Sequence, residues 1–326
     1  MSAGTLELIL WICTAAMALL ALSQVAGATP HVIAFVAQAT TWFALAPSIP
    51  LAIVAGIGGW WPLMAVNVAI AGVLVWLTVP IVRRDLLPDP HTGDPRASLV
   101  FANTYFESTR PDDTAAALMD ADADVLAMAE YTPEMEASLR AKGAFERYPY
   151  VVGRAEVTRD GIILLSRIPL ASGRHADIGD VPGVDAVLDL DGVHVRVLVV
   201  HPLASVHARD LRSWRRDLRT YRRLFDAYTA AGERVIVVGD FNACRGHPDF
   251  RALVDRTAFR SAHEWLGRGF STSWPIDGAM PAFVRIDHAL VHGVLPTSCD
   301  DIDTPGSDHR AFELHFAAPR ATRPGA

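Results

Sequence analysis

Apolar positions follow two regimes along this chain. Over residues 1–82 they run almost unbroken: neither Lys nor Arg occurs there, and Glu7 is the one acid. From Arg83 onward they fall into short runs separated by charged and turn-forming residues. The first regime divides into three stretches, Leu6 to Ser23, Val32 to Ile57 and Trp61 to Val82, each near the ~20 residues that a helix needs to cross a bilayer. They predict an anchor of about three transmembrane helices over 1–82. Pro47 and Pro50 interrupt the second stretch, so two to four crossings fit the pattern. Trp60 and Trp61 suit an interfacial belt. A cleaved signal peptide would explain only the first stretch, which lacks a basic leader and is followed by more apolar segments.

The second regime reads as a folded domain over 98–318, joined to the anchor by a Pro-rich linker, 83–97, and followed by a disordered tail, 319–326. β-Branched and aromatic runs predict strands at Ser98–Phe106, Val125–Glu130, Gly161–Ser166, Ala186–Leu190, Val193–Val200, Arg234–Val238, Ile286–Val291 and Ala311–Phe316. Helical spacing predicts helices at Asp112–Asp120, Pro133–Lys142 and His207–Ala230. Grouped strands with helices between some of them indicate an α/β class fold, a two-sheet sandwich covered by helices. Asp191-Gly192 predicts a two-residue hairpin. Residues 143–159, 173–184 and 262–282 read as loops at the rim of a cleft. In His207–Ala230, Leu211, Trp214, Leu218, Tyr221 and Phe225 form a core-facing stripe, while Arg212, Arg215, Arg216, Arg219, Arg222 and Arg223 fill the remainder. A solvated face is the simplest reading of those arginines; a phosphate-binding or membrane-surface role is the alternative.

The formal net charge is −7, and only Glu7 of the acids belongs to the anchor. An acidic domain counts against the basic face on which non-specific DNA binding rests, so nucleic acid is the less favoured partner. Of three cysteines, Cys13 lies in the first apolar stretch, and Cys244 and Cys299 lack zinc-like spacing and read as unpaired thiols, a disulfide between them being the alternative if the domain is exported. Arg83 and Arg84 next to the anchor favour a cytoplasmic domain by the positive-inside rule, whereas three crossings from a cytoplasmic N-terminus would place it outside.

Chemistry concentrates where apolar runs end. Val235–Val238 is followed by Gly239-Asp240-Phe241-Asn242; Val125–Ala129 delivers Glu130; Val197–Val200 delivers His201; and Ser307-Asp308-His309 adds a carboxylate and an imidazole. Alternation would put Asp240 and Asn242 on one face with Phe241 behind; an Asx turn is the alternative. Carboxylate and amide oxygens suit a hard divalent ion, Mg²⁺ with Mn²⁺ as a substitute, bound by Glu130 and Asp308. Asp287, in Arg285-Ile286-Asp287-His288, is placed to hold His309 in one tautomer, and His201 and Asn103 are further donors. These groups together meet the needs of phosphate ester hydrolysis: charge neutralisation, an oriented water, and a base.

The order and spacing of Asn103, Glu130, His201, Gly239-Asp240-Phe241-Asn242, Arg285-Ile286-Asp287 and Ser307-Asp308-His309 resemble the endonuclease/exonuclease/phosphatase superfamily over roughly residues 98 to 318. Gly161 to Pro169 resembles a further segment, whereas Ala129 stands where many members carry Gln. The resemblance implies a two-sheet α/β sandwich and a Mg²⁺-dependent phosphoesterase. Asp240 would orient or deprotonate water; His201, Asp287 and His309 would complete the catalytic set. Asn103, Asn242 and His201 would contact the phosphate, and Glu130 and Asp308 would hold the metal. The added anchor resembles a membrane-tethered bacterial subgroup whose domain faces outward. That implies a multi-pass cell-membrane protein, its domain extracytoplasmic, acting on a lipid-linked phosphate or a phospholipid. A membrane-tethered nuclease and an inactive interaction module are the alternatives.

Overall fold

The structure, a computed structural model, describes residues 3–27, 29–82, 90–205, 207–276, 278 and 281–320. The expected linker residues 83–89, with Arg83 and Arg84, and the tail from 321 onward lie outside the described residues.

Twelve strands are described: β1 (Arg96–Asn103), β2 (Val125–Ala129), β3 (Tyr150–Arg154), β4 (Ile162–Ser166), β5 (Leu170–Asp177), β6 (Pro182–Leu190), β7 (Val193–Val200), β8 (Val235–Asp240), β9 (Arg260–Ser261), β10 (Asp287–His292), β11 (Leu295–Ile302) and β12 (Ala311–Ala317). They build two six-stranded sheets, in the orders β11-β12-β1-β2-β4-β3 and β5-β6-β7-β8-β10-β9. Each sheet has one parallel pair, β1 with β2 and β7 with β8. The helices Pro111–Asp120 and Ala208–Ala230 make the two crossovers.

The continuous apolar runs follow from this layering. Leu99, Phe101, Val195, Val197, Ile236 and Val238 meet between the sheets. Their neighbours Val100, Ala102, Leu126 and Met128 pack outward under the helices Pro111–Asp120 and Pro133–Ala141, and Leu198, Val200, Val235 and Val237 under Ala208–Ala230. Strands covered on both faces need apolar residues at every position. The predicted stripe of Ala208–Ala230 is buried as expected, with Trp214 donating to the Phe241 carbonyl at 3.0 Å. Asp191 and Gly192 adopt φ of 52° and 80° and turn β6 into β7, as the Asp-Gly pair required. Two segments expected to be loops instead contain the edge strands β3 and β5. Their residues are mostly exposed or half-buried, so no apolar alternation announces them. All three cysteines are free thiols.

Ahead of the sandwich, two helices among the described residues are long and apolar enough to cross a bilayer, Gly4–Val25 and Trp61–Val82. Each has 22 residues, about 33 Å at 1.5 Å per residue. The middle stretch is two helical legs, Val32–Ala39 and Thr41–Ile57, bent by 82°. The break falls at Thr40 rather than within the Pro47/Pro50 segment, where Pro47 caps the helix Ser48–Ile57. The first helix ends against the sandwich: Gln24 Nε2 donates to the Gly246 carbonyl at 2.7 Å and to Thr41 Oγ1 at 3.0 Å. The second leg therefore leaves the sandwich at Thr41. Trp61–Val82 returns to it, where the Arg251 guanidinium lies 5.3 Å from the Trp76 ring. Asn67 ties this helix to the first through Thr14 Oγ1 at 2.9 Å.

Candidate active site

One end of the sandwich collects the ends of strands from both sheets. Asn103 ends β1, Glu130 follows β2, His201 follows β7 and Asp240 ends β8. Antiparallel β10 begins at Asp287, directly opposite Asp240. The turn before β12, antiparallel to β1, supplies His309. Parallel pairs put C-terminal ends together, and antiparallel neighbours add their N-terminal ends, so residues 103 to 309 meet without any long excursion. Close approach is enforced at Gly239, where a Cβ would stand 2.1 Å from the Val200 carbonyl oxygen.

Asn103 is the bridge between the sheets. Its Nδ2 donates to Glu130 Oε1 at 3.0 Å and to Asp240 Oδ2 at 3.1 Å, while its Oδ1 accepts from the Tyr105 amide at 3.0 Å and so fixes which way the side-chain amide points. Glu130, at φ 54°, takes the Phe106 amide on Oε2 at 2.9 Å. His201 Nε2 lies 3.6 Å from Glu130 Oε1 and 3.7 Å from Asp240 Oδ2, and its Nδ1 is 3.3 Å from the Arg159 carbonyl. His309 Nδ1 pairs with Asp287 Oδ2 at 2.8 Å, leaving Nε2 to face Asp240 Oδ2 at 3.8 Å and Asp308 Oδ1 at 3.7 Å. Every one of the eight expected site residues lies in this connected cluster or beside it.

Asn242 reaches the site differently from its expected route. β8 ends at Asp240, so strand alternation does not reach it. Asn242 has φ 48°, its amide N–H donates to Asp240 Oδ1 at 2.7 Å, and its Nδ2 donates to the Pro202 carbonyl at 2.9 Å. The Asx turn and the site role coincide: the turn that captures Asp240 Oδ1 leaves Oδ2 directed at Asn103 and the imidazoles.

Three contributors went unassigned in the sequence. Trp274 Nε1 donates to Asp308 Oδ2 at 3.0 Å. Ser273 Oγ accepts the amides of Ile286 and Asp287 at 3.1 and 3.3 Å, and Ser307 Oγ donates to the Asn103 carbonyl at 2.7 Å. A tryptophan within the polar, Pro- and Gly-containing stretch 262–282 was the available signal for the first.

Burial raises Asp240 to about 6, opposed by the neighbouring imidazoles and reinforced by Asp287. Burial by itself would lower His309; the carboxylates of Asp287 and Asp240 outweigh it and push the imidazole up to about 10. Asp287 responds in the opposite sense: its burial is outweighed by His309, which holds it below its ordinary value.

Four carboxylates, from Glu130, Asp240, Asp287 and Asp308, therefore face two imidazoles. Among the described residues Glu130, Asp240 and Asp287 pair with His201 and His309. Asp287 Oδ1 is buried without a hydrogen-bond partner among the described residues. An excess of hard oxygen donors fits a divalent cation. Asp240, Asp287 and His309 each bring one ligand atom within 4.8 Å of the others. In that trio the short Asp287–His309 hydrogen bond uses Nδ1, so we read it as a charge-paired dyad beside an acid. Glu130 and Asp308, at the flanks, have the less buried side chains of the four.

A model of the Endonuclease/Exonuclease/phosphatase family matches residues 100–309, which span all of these groups. The chain belongs to the endonuclease/exonuclease/phosphatase family. Solved structures agree on its fold. The zebrafish TDP2 structure complexed with single-strand DNA product superposes with a TM-score of 0.57 at 16% identity, covering 68% of this chain and 99% of that one. The human Nocturnin catalytic domain with bound sulfate gives 0.55 at 16%, covering 73% and 98%. An endonuclease/exonuclease/phosphatase family protein from Bacteroides thetaiotaomicron gives 0.52 at 14%, covering 69% and 98%. The N-terminal helices lie outside the residues that the family model matches. Comparison with curated proteins yields no match.

Proposed function

We propose that this family member is a membrane-anchored, divalent-metal-dependent phosphoesterase whose substrate is a lipid-linked phosphate or a phospholipid. The observation that carries the chemistry is the Asn103 amide bridging Glu130 and Asp240 while two imidazoles face the same carboxylates. Glu130 and Asp308 would hold Mg²⁺, or Mn²⁺ in its place, which supplies charge neutralisation at the phosphoryl oxygens and acidifies bound water. Asn242 Nδ2 has a second proton beyond the one given to Pro202, and His201 Nε2 faces the same space; both donate to non-bridging oxygens. Asp240 Oδ2 orients the attacking water. His309, with Nδ1 fixed by Asp287, presents only Nε2 to the reacting groups and moves a proton there.

Membrane attachment supports the choice of a lipid. The helical legs run toward the sandwich, away from it and back, which supports a reading of three crossings with the N-terminus and the catalytic domain on opposite sides; a cytoplasmic N-terminus then makes the domain extracytoplasmic. Gln24, Phe35, Ala39 and Trp76 of this region touch the sandwich directly, so the site is held against the bilayer instead of swinging on a tether. The balance of charge, −7 over the chain, opposes a polyanionic substrate.

The deciding experiment is substrate hydrolysis by the full-length protein in detergent, with Mg²⁺ or EDTA, read as inorganic phosphate from monoesters and pyrophosphates and as the released phosphomonoester or cut strand from diesters. The panel is undecaprenyl pyrophosphate, phosphatidylglycerol, sphingomyelin, inositol phosphates and DNA, with Asp240→Asn as control. We expect Mg²⁺-dependent turnover of a lipid, abolished in the control. Robust DNA cleavage without lipid turnover would replace the substrate by nucleic acid. Silence across the panel and toward bis-p-nitrophenyl phosphate, from folded protein, would leave an interaction module.

A further inference from the structure

The arginine-rich helix Ala208–Ala230 carries seven arginines and three aspartates in a chain of net charge −7. The catalytic cluster uses none of these arginines. Part of this face meets the anchor instead of open solvent. Arg215, Arg219 and Arg222 join Arg251 and Arg256 around a cleft of about 470 Å³ whose remaining wall includes Val25, Gly27 and Trp76 of the N-terminal helices. Two acids on the same cleft are already engaged, Asp249 with Arg215 at 3.5 Å and Asp255 with Arg245 at 2.7 Å. Arg219, Arg222 and Arg256 are exposed and have no carboxylate within ion-pair distance among the described residues. Arg251 is buried and satisfied by neutral groups only, its Nη1 and Nη2 donating to Gln24 Oε1 and the Gln24 carbonyl at 2.7 and 2.9 Å. Like charges held together at a half-dry site favour an anion between them.

The cleft's position selects the anion. The first helix exposes Leu19, Leu22 and Val25 outward, at 70%, 63% and 62%, and ends at Val25 where the cleft begins. Trp76, 53% exposed, stands at the same level on the neighbouring helix. Apolar flank, tryptophan and arginines thus succeed one another as hydrocarbon, interface and headgroup layer do at a bilayer surface. We propose that this cleft binds the phosphate of an anionic phospholipid in the surrounding leaflet, its acyl chains lying along Leu22 and Val25, at a site separate from the catalytic one. The proposal rests on membrane insertion of the N-terminal helices, and not on the catalytic reading.

Native mass spectrometry of the full-length protein released from detergent micelles doped with phosphatidylglycerol or phosphatidylcholine tests it. We expect phosphatidylglycerol to bind at least about tenfold more tightly. The preference should vanish in Arg219→Glu/Arg222→Glu/Arg256→Glu and persist in the charge-matched Arg209→Glu/Arg212→Glu/Lys142→Glu, whose changes lie outside the cleft. Excess inorganic phosphate should not displace the lipid. Equal binding of the two lipids, an undiminished preference in the cleft variant, its loss in the control variant, or ready displacement by inorganic phosphate would each overturn the proposal. Failure of the membrane reading would register separately, as a chain that stays monodisperse without detergent.

Discussion

Two buried polar networks lie in this molecule, and they solve opposite problems. At the junction of the N-terminal helices with the sandwich, Gln24 and Gln38 are fully buried yet meet amide, hydroxyl and guanidinium partners: Gln24 binds Gly246, Thr41 and Arg251, and Gln38 binds Ser23 and Thr29. At the strand ends, the carboxylates of Glu130, Asp240, Asp287 and Asp308 outnumber their imidazole partners. A network whose donors and acceptors are matched contributes rigidity and specificity of packing; one left with excess negative charge is prepared for something positive. The contrast separates structure from chemistry without reference to any relative.

Substitutions should act on one network and spare the other. The largest effect is expected from Asp240→Asn, which preserves shape while removing the charge and one of the two acceptor oxygens that Asn103 and Asn242 use. Turnover of bis-p-nitrophenyl phosphate by the full-length protein should fall by about 10³-fold, with cooperative unfolding retained. EDTA should reproduce that loss and Mg²⁺ reverse it; activity that survives exhaustive chelation would remove the cation from the scheme.

Next comes Gln24→Leu, which deprives Arg251 Nη1, Thr41 Oγ1 and the Gly246 carbonyl of their side-chain partner and leaves Nη2 on the backbone carbonyl of residue 24. A loss of about 3 kcal/mol is expected in unfolding of the detergent-solubilised chain, with kcat within about twofold of wild type. A large drop in kcat at unchanged stability would show the two networks to be coupled. Trp274→Phe keeps the ring and deletes the donor to Asp308 Oδ2, and should raise the Mg²⁺ concentration for half-activation by roughly tenfold, the usual scale for a group that orients a ligand.

The smallest effect concerns pH. Because the folded imidazole of His309 is raised to about 10, its stabilising contribution is fully present below the unfolded value near 6.5. It is lost as pH rises toward 10. The unfolding midpoint of metal-free protein should therefore exceed that of His309→Gln by a margin that shrinks from pH 6.5 to pH 10. A constant margin would mean that the imidazole is neutral in the folded protein.

Much of this architecture was legible because its strands are covered twice. β1, β2, β4 and β8 read as unbroken apolar runs, and at the ends of β1, β2 and β8 one residue was conspicuous by contrast: Asn103, Glu130 and Asp240. β3, β5, β9 and β11 escaped for the converse reason. They are edge or near-edge strands, with exposed stretches, Pro296, Asp300 and Asp301, or only two residues. At the site, side chains carrying charge were found, whereas Ser273 and Trp274 act through single hydrogen bonds from a segment without periodicity. The bend between Val32–Ala39 and Thr41–Ile57 had no proline at its apex to betray it; Thr40 instead bonds the Ala37 carbonyl through its Oγ1 at 3.0 Å. The anchor's docking was not legible at all, since a glutamine in an apolar run carries no mark of a partner 222 residues away.

That separation has a consequence for biogenesis. Gln24 leaves the ribosome with the first helix, and Gly246 follows 222 residues later, roughly 10 to 45 seconds at ordinary rates of synthesis. In the membrane topology proposed above, the helices would insert during that interval with Gln24 still lacking its sandwich partners Gly246 and Arg251. Completion of the sandwich then closes the joint, so the N-terminal helices acquire their final seat only when the domain that follows them has folded.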